Sequence, residues 1–340
     1  MKRIAIFVVA VLLIQPTEPS AQEKSSLSIH REKTKDKDYF DIMAGKELIT
    51  RYHITQSAPK PIFWPVNAPG GVPLTRDWPM IPDAPDNTKD HPHQQSAWFC
   101  HGDIIPEGIV VKDKIKGIEG VDFWSIAKGH GNMVCTYAAE PKVDKNRIRL
   151  ATKNEWRTAD GVKIMDEARD IYVYDFGKAR LIVLNIDLHA SVCPIVFGDT
   201  KEGAMGIRIS DKITEVKGGK GKIQNAEGKV GEKNCWGQIA NWCDYSGPID
   251  GKTVGLAVLA DPKNAYPSCW HARGYGLMAA NPFGREKARF PGVAGKKELV
   301  RLAKGEHLKL RYAMLLHQGD AETGNVAEYY QRFVALREKE

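Results

Sequence analysis

Asn185-Ile186-Asp187-Leu188-His189 alternates polar and apolar side chains, and it closes a longer run that starts at Leu181. A period of two puts successive side chains on opposite faces of extended backbone, so the stretch reads as a strand with one covered face. Working outward, comparable short runs recur at Leu48–Ile54, Arg147–Trp156, Ile164–Tyr174, Met205–Ser210, Trp236–Trp242, Thr253–Ala260, Tyr275–Ala279 and Leu308–Leu316. They are rich in β-branched and aromatic residues, and turn formers separate them. The spacing predicts an all-β chain, a large antiparallel β-sandwich, rather than βαβ units. One helix is predicted, at the C-terminus. There Asn325 and Glu328 make a capping-box-like pair, and Val326, Tyr329, Tyr330, Phe333 and Leu336 form one apolar docking stripe.

The chain has 340 residues, 42% hydrophobic and 27% charged, which excludes disordered, collagenous and disulfide-framework classes. A net charge of +7 is spread thinly, so no nucleic-acid partner is expected. Lys2 and Arg3 precede eleven apolar residues, Ile4 to Ile14, and Pro19-Ser20-Ala21 ends in small residues. Such a run is shorter than the roughly 20 residues that span a bilayer and reads as a signal peptide over 1–21. The rest, 22–340, is expected to be one exported β-sandwich domain, periplasmic or secreted, without a membrane span. Nothing in the sequence sets an oligomeric state.

Six cysteines, Cys100, Cys135, Cys193, Cys235, Cys243 and Cys269, show no CxxC spacing. Cys235 and Cys243 flank the predicted strand Trp236–Trp242, which would hold them about 26 Å apart, beyond a disulfide's reach. Buried free thiols are expected, with one or two bridges as the alternative. Residues 56–96 are dense in proline and read as a long, ordered, working loop. Lys217–Lys222 lacks the order of a phosphate loop and reads as a solvated hairpin tip.

Chemistry concentrates in Asp90-His91-Pro92-His93-Gln94-Gln95-Ser96, then His101-Gly102-Asp103 and Asp122-Phe123-Trp124. Extended backbone would put His91 and His93 on one side, and histidine exchanges protons near neutral pH. His101-Gly102-Asp103 also has the spacing of a two-histidine, one-carboxylate metal site, which needs a distal His189, His271 or His317. Two further clusters, Trp242-Cys243-Asp244-Tyr245-Ser246-Gly247 and Trp270-His271-Ala272-Arg273-Gly274-Tyr275, set aromatic faces beside polar groups. That mixture suits a pyranose, which stacks its C–H face and hydrogen-bonds its hydroxyls. Core packing is the competing reading for Trp236 and Trp242.

At these residues the chain resembles a family of secreted bacterial proteins usually labelled "methane oxygenase PmoA". The resemblance runs through Lys60-Pro61-Ile62-Phe63-Trp64-Pro65, Gly71–Asp77, Asp90-His91-Pro92-His93, Gly120–Trp124, Gly198–Gly203, Trp242–Gly247 and Arg273–Gly284. Where this chain has Gln94, members commonly carry a third histidine. The resemblance implies a β-rich fold, a large sandwich like those of sugar mutarotases, which bind sugars on a sheet face. It does not imply methane chemistry, since that membrane subunit is built from many helices.

The leading expectation is an exported enzyme acting on a carbohydrate or sugar derivative by acid–base chemistry, as an epimerase, lyase or hydrolase. His91 and His93 would transfer protons, with Asp244 or Glu202 as the paired carboxylate. Arg76, Gln95, His101, Trp242, Tyr245, His271, Arg273 and Asn281 would hold a small-molecule or oligosaccharide ligand. No cofactor is expected. A non-catalytic carbohydrate-binding protein is one alternative, and a mononuclear metal oxygenase on His101, Asp103 and a distal histidine is another.

Overall fold

The period-two pattern that ends at His189 forms the strand Ala179–His189, one of the longest in the molecule. Its Ile182 and Leu184 enter one core while Leu181 and Val183 enter another, so the strand is buried on both faces. The computed structural model describes residues 27–337 apart from Lys145 and Lys217; the predicted signal segment lies outside the described residues.

Two nine-stranded antiparallel sheets dominate. In order, the first runs β1 (Leu27–Lys33), β2 (Asp38–Ala44), β3 (Glu47–His53), β4 (Ile62–Ala68), β6 (Ala97–His101), β14 (Gly203–Arg208), β19 (Leu277–Asn281) and β18 (Cys269–Ala272). The short β5 (Val72–Pro73) pairs with β4. The second sheet runs β15 (Lys222–Asn225), β16 (Trp242–Ile249), β17 (Lys252–Ala260), β21 (His307–Gln318) and β12 (Ala179–His189). It continues through β11 (Lys163–Asp175), β10 (Arg147–Arg157) and β8 (Asn132–Ala138), with β9 (Lys142–Asp144) on β10. A small third sheet joins β20 (Val300–Leu302), β13 (Ile195–Phe197) and β7 (Ile104–Pro106). The predicted antiparallel all-β class is correct.

The main core draws on both large sheets, with Phe40, Ile42, Phe63 and Phe99 from the first and Leu150, Trp156, Leu184 and Tyr312 from the second. A second core lies on the far face of the second sheet, where α2 (Val326–Leu336) docks Val326, Tyr330 and Phe333. That is the predicted stripe. The capping box does not form, because Asn325 sits at φ 53° with no side-chain cap bond and Glu328 pairs with Arg332 instead.

Two local expectations fail. Trp236–Trp242 is not a strand: α1 (Glu232–Cys235) ends there, and Gly237 turns the chain at φ +62°, 2.9 Å from the Phe290 backbone at its Cβ position. The proline-dense 56–96 segment contains β4, whose Pro65 falls where the β3–β4 register shifts and so removes no ladder bond from a regular stretch. All six cysteines are free and buried, as the favoured reading had it. No helix among the described residues is long and apolar enough to cross a membrane.

Candidate functional site

His271 on β18, Ala279 on β19, Gly206 on β14 and Trp98 on β6 are successive cross-strand partners. Residues in one such row project from the same face of a sheet. Phe99, next along β6, packs against Trp156 and Tyr312 of the second sheet, so the row faces the other way. Ala279 and Gly206 lie between His271 and Trp98, and all four are buried. A Cβ on Gly206 would stand 2.8 Å from the Trp98 ring and 3.0 Å from Trp124.

Residues 74–96 fold over this face, tied down by two buried arginines. Arg76 donates to the carbonyls of Trp78, Thr88 and His91, and its Nη1 lies 2.8 Å from Asp90 Oδ1. Arg208, rising from β14, reaches the same Asp90 oxygen at 2.8 Å and Gln94 Oε1 at 2.7 Å. Burial opposes ionisation of Asp90, yet Arg208, His91 and Arg76 together hold its carboxyl well below the usual carboxylate range. Burial, with the like charge of Arg208, lowers Arg76 to about 10. Arg76 is therefore the organiser of the loop, with its donors spent on loop groups, and not the substrate clamp expected of it.

His91 emerges from this loop at φ 49° and is exposed. Its ring stacks on Tyr275 and lies 5.7 Å from His93, edge on. The Arg273 guanidinium sits 5.8 Å from the Tyr275 ring and 5.2 Å from the Trp236 ring. Trp236 meets His271 edge to face at 4.9 Å, and His271 Nδ1 stands 3.8 Å from Glu202 Oε2. The expected His91, His93, His271, Arg273 and Glu202 thus form one continuous group.

Electrostatics within the group divide the roles. The Lys201 carbonyl accepts from His271 Nδ1 at 2.9 Å, which places the proton on Nδ1 and the lone pair on Nε2. Burial pushes His271 down to about 3 and, with Lys60 nearby, His93 to about 4. Both imidazoles are neutral at pH 7. Burial pushes Glu202 up to about 7 against the opposing charge of Lys201, so it carries a proton about half the time at neutrality.

Several expected residues lie elsewhere. Asp244 and Trp242 point to the far face of the second sheet; Asp244 Oδ1 accepts from His317 Nε2 at 2.8 Å, and Trp242 packs under α2. Tyr245 faces the inter-sheet core and braces the site from behind, its hydroxyl donating to the Gly274 carbonyl at 2.8 Å. Asn281 holds the loop before Glu202 through Thr200 O at 2.9 Å. His101 is buried between Phe197 and Phe283, with its Nε2 on the Gly198 carbonyl, and burial lowers it to about 4. Asp103 is spent on the backbone N–H groups of Glu119 and Gly120. His189 stacks on His307 at the far end of β12, His317 pairs with Asp244 and His271 with the Lys201 carbonyl, so the three-ligand set expected around His101 does not assemble. No group of three metal-ligating side chains occurs among the described residues.

Gln95 is among the residues expected to hold ligand. Instead the chain turns, with Gln94 N on His91 O at 2.9 Å, and Gln94 is the one that reaches inward. Its Nε2 donates to the Tyr275 hydroxyl at 3.4 Å. Sequence reasoning also passed over Arg208 and Lys60. Lys60 is 1% exposed, and its Nζ donates to the carbonyls of Phe123 and Trp124, pinning the segment beside Trp98. Only Arg208 left a signal: a charge at the polar phase of an otherwise apolar strand.

A model of DUF6807, a family of unknown function, matches residues 39–331. The chain belongs to this family. No curated protein matches this DUF6807 member. Among solved structures it is similar to galactose 1-epimerase from Lactobacillus acidophilus NCFM, at 8% identity and TM-score 0.44, over 87% of this chain and 99% of that one. It is also similar to a galactose mutarotase-like protein from Clostridium acetobutylicum, at 11% identity and TM-score 0.41, over 87% and 99%. A β-arabinopyranosidase aligns at 10% identity and TM-score 0.37, over 87% of the DUF6807 chain but 39% of its own. At such scores the superposition is partial, and the architecture rests on the strand pairing itself.

Proposed function

We propose that this DUF6807 protein is an exported enzyme that acts on a carbohydrate or sugar derivative by proton transfer. The observation that carries the reading is Glu202, a carboxyl raised to about 7 and 3.8 Å from the neutral imidazole of His271. A group poised near the working pH can both give and take a proton. Glu202 gives or takes the proton, and the imidazoles of His93 and His271, which burial keeps neutral, hold the substrate as hydrogen-bond partners. Trp236 and Tyr275 supply aromatic surface, and half-exposed Arg273 and exposed Lys201 supply donors for hydroxyl or carboxylate groups.

A carboxylate–imidazole pair favours epimerisation or elimination over hydrolysis. Hydrolysis of a glycoside ordinarily needs two carboxyl groups flanking the bond. Around Glu202 the other acids are committed: Asp122 Oδ1 accepts from Trp124 N and Ser125 N, and Glu232 pairs with Arg273 at 2.9 Å. The purely binding alternative needs a flat row of exposed aromatics. Among the described residues Tyr137 is the one aromatic in the exposed apolar set.

The test is a proton-NMR screen of aldoses, uronates and short oligosaccharides, read for anomer exchange, epimerisation or new unsaturated products. A turnover that Glu202→Gln lowers by at least about 100-fold, the usual share of a general acid, supports the assignment. A Glu202→Gln protein with wild-type turnover overturns it.

A further inference from the structure

We infer that Cys235 and Cys243 form a disulfide when the folded chain meets a disulfide donor. Both thiols are buried, Cys235 at the end of α1 and Cys243 on β16. Asn225 of β15 brings them together. It is the cross-strand partner of Cys243, and its N–H bonds to the Lys229 carbonyl at 3.0 Å. Cys235 Sγ donates to that same carbonyl at 3.2 Å. Both cysteines thus lie against Asn225, which makes the two thiols neighbours. The separation expected from an extended Trp236–Trp242 does not exist, because the chain turns back at Gly237.

The neighbours distinguish the two sulfurs. The hydrogen bond from Cys243 stabilises a thiolate on Cys235, while burial and that same bond keep Cys243 protonated. Thiol–disulfide exchange then has a direction. Cys235 attacks one sulfur of the donor, forming a mixed disulfide and releasing one thiol. Cys243 gives up its proton to solvent, and its sulfur attacks Cys235 Sγ, expelling the second thiol. Two electrons pass from the cysteine pair to the donor, which leaves as two thiols. Cys235, the attacking thiol, ends α1, a single turn of four residues whose opening would admit the donor.

The bond would clamp one wall of the candidate site. Trp236, which meets His271, follows Cys235 directly, and Glu232 at the start of α1 pairs with Arg273 and accepts from Gly274 N at 2.6 Å. The inference stands whether or not that site takes a sugar.

One tryptic peptide, Asn234–Lys252, contains both cysteines and no internal lysine or arginine. The full chain is equilibrated with oxidised glutathione, its remaining thiols are blocked in denaturant, and the peptide is mapped by mass spectrometry without reduction. The expected peptide is two hydrogens lighter than the reduced form and carries no blocking group. A peptide with both thiols blocked, or joined to any other cysteine, overturns the inference. The oxidised protein should also melt a few degrees above the reduced one, and Cys243→Ala should abolish that difference. An equal or lower midpoint on oxidation overturns the clamp.

Discussion

The ring of His91 lies flat on the ring of Tyr275, 5.0 Å between centroids and 4° from parallel. Nearly two hundred positions separate them in the chain. The contact joins a loop residue at positive φ to a tyrosine in the turn between β18 and β19, whose hydroxyl accepts from Gln94.

Removing the Tyr275 ring should free His91 without unfolding the loop, which the arginines hold. Tyr275→Leu is expected to lower turnover and broaden the His91 imidazole NMR signals, since a stacked pair contributes about 0.5–1.5 kcal/mol. Tyr275→Phe keeps the stack and loses only the bond to Gln94, so it should stay within a few-fold of wild type. Sharp, unchanged His91 signals in Tyr275→Leu would show that the stack is not what orients it.

Glu202 should leave a signature in stability against pH. Its folded pKa of about 7 stands above the ordinary 4.5, so the native state holds the proton more tightly than the unfolded chain. The stability Glu202 contributes is therefore fully present below about pH 4.5 and is lost as pH rises from there through 7. Glu202→Gln removes that decline. Allowing for the side chain's partial exposure, the variant should gain on the order of 1–2 kcal/mol over wild type at pH 8 and little at pH 4.5, by urea unfolding. An identical difference at both pH values would contradict the raised carboxyl.

Asp90 shares one oxygen between two arginines that are themselves buried. Asp90→Asn leaves two guanidiniums facing each other with that carboxylate gone. Removing one partner of a buried ion pair costs about 3–5 kcal/mol. A loss near the lower end is expected, because Asp90 is partly exposed and Asp211 stands 3.8 Å from Arg208. Denaturant midpoints measure it, and increased proteolysis within residues 76–94 should accompany it.

Asp244 gives the complementary control. It is paired with His317 on the far face of the second sheet, both fully buried. Asp244→Ala should cost about 3 kcal/mol by stranding the His317 partner, while turnover per folded molecule stays at the wild-type value. Loss of turnover in fully folded Asp244→Ala would return Asp244 to the site.

Strand periodicity survived folding where side chains alternate cleanly, as along β10 and in the last residues of β12, because a half-buried ladder demands that pattern. The stripe of α2 was legible for the same reason. Parity, however, does not say which face is which: Asp244 and Tyr245 are adjacent and face opposite layers, and nothing local marks which layer holds the chemistry. β4 was hidden by Pro65, a residue that ordinarily argues against an inner strand. Gln94, not Gln95, reaches inward because the backbone turns between His91 and Gln94, and no alternation in that segment marks the turn. The His271–Glu202 approach depends on strands paired across long separations, and no local pattern encodes that.

The candidate site and α2 lie on opposite outer faces of the two stacked sheets, with the inter-sheet core between them. A surface handle on the exposed side of that helix, for instance at Arg332, would orient the molecule on a solid support with its histidine-lined face toward the bulk. Immobilised screening against sugar libraries would then sample the loop of residues 74–96 unobstructed.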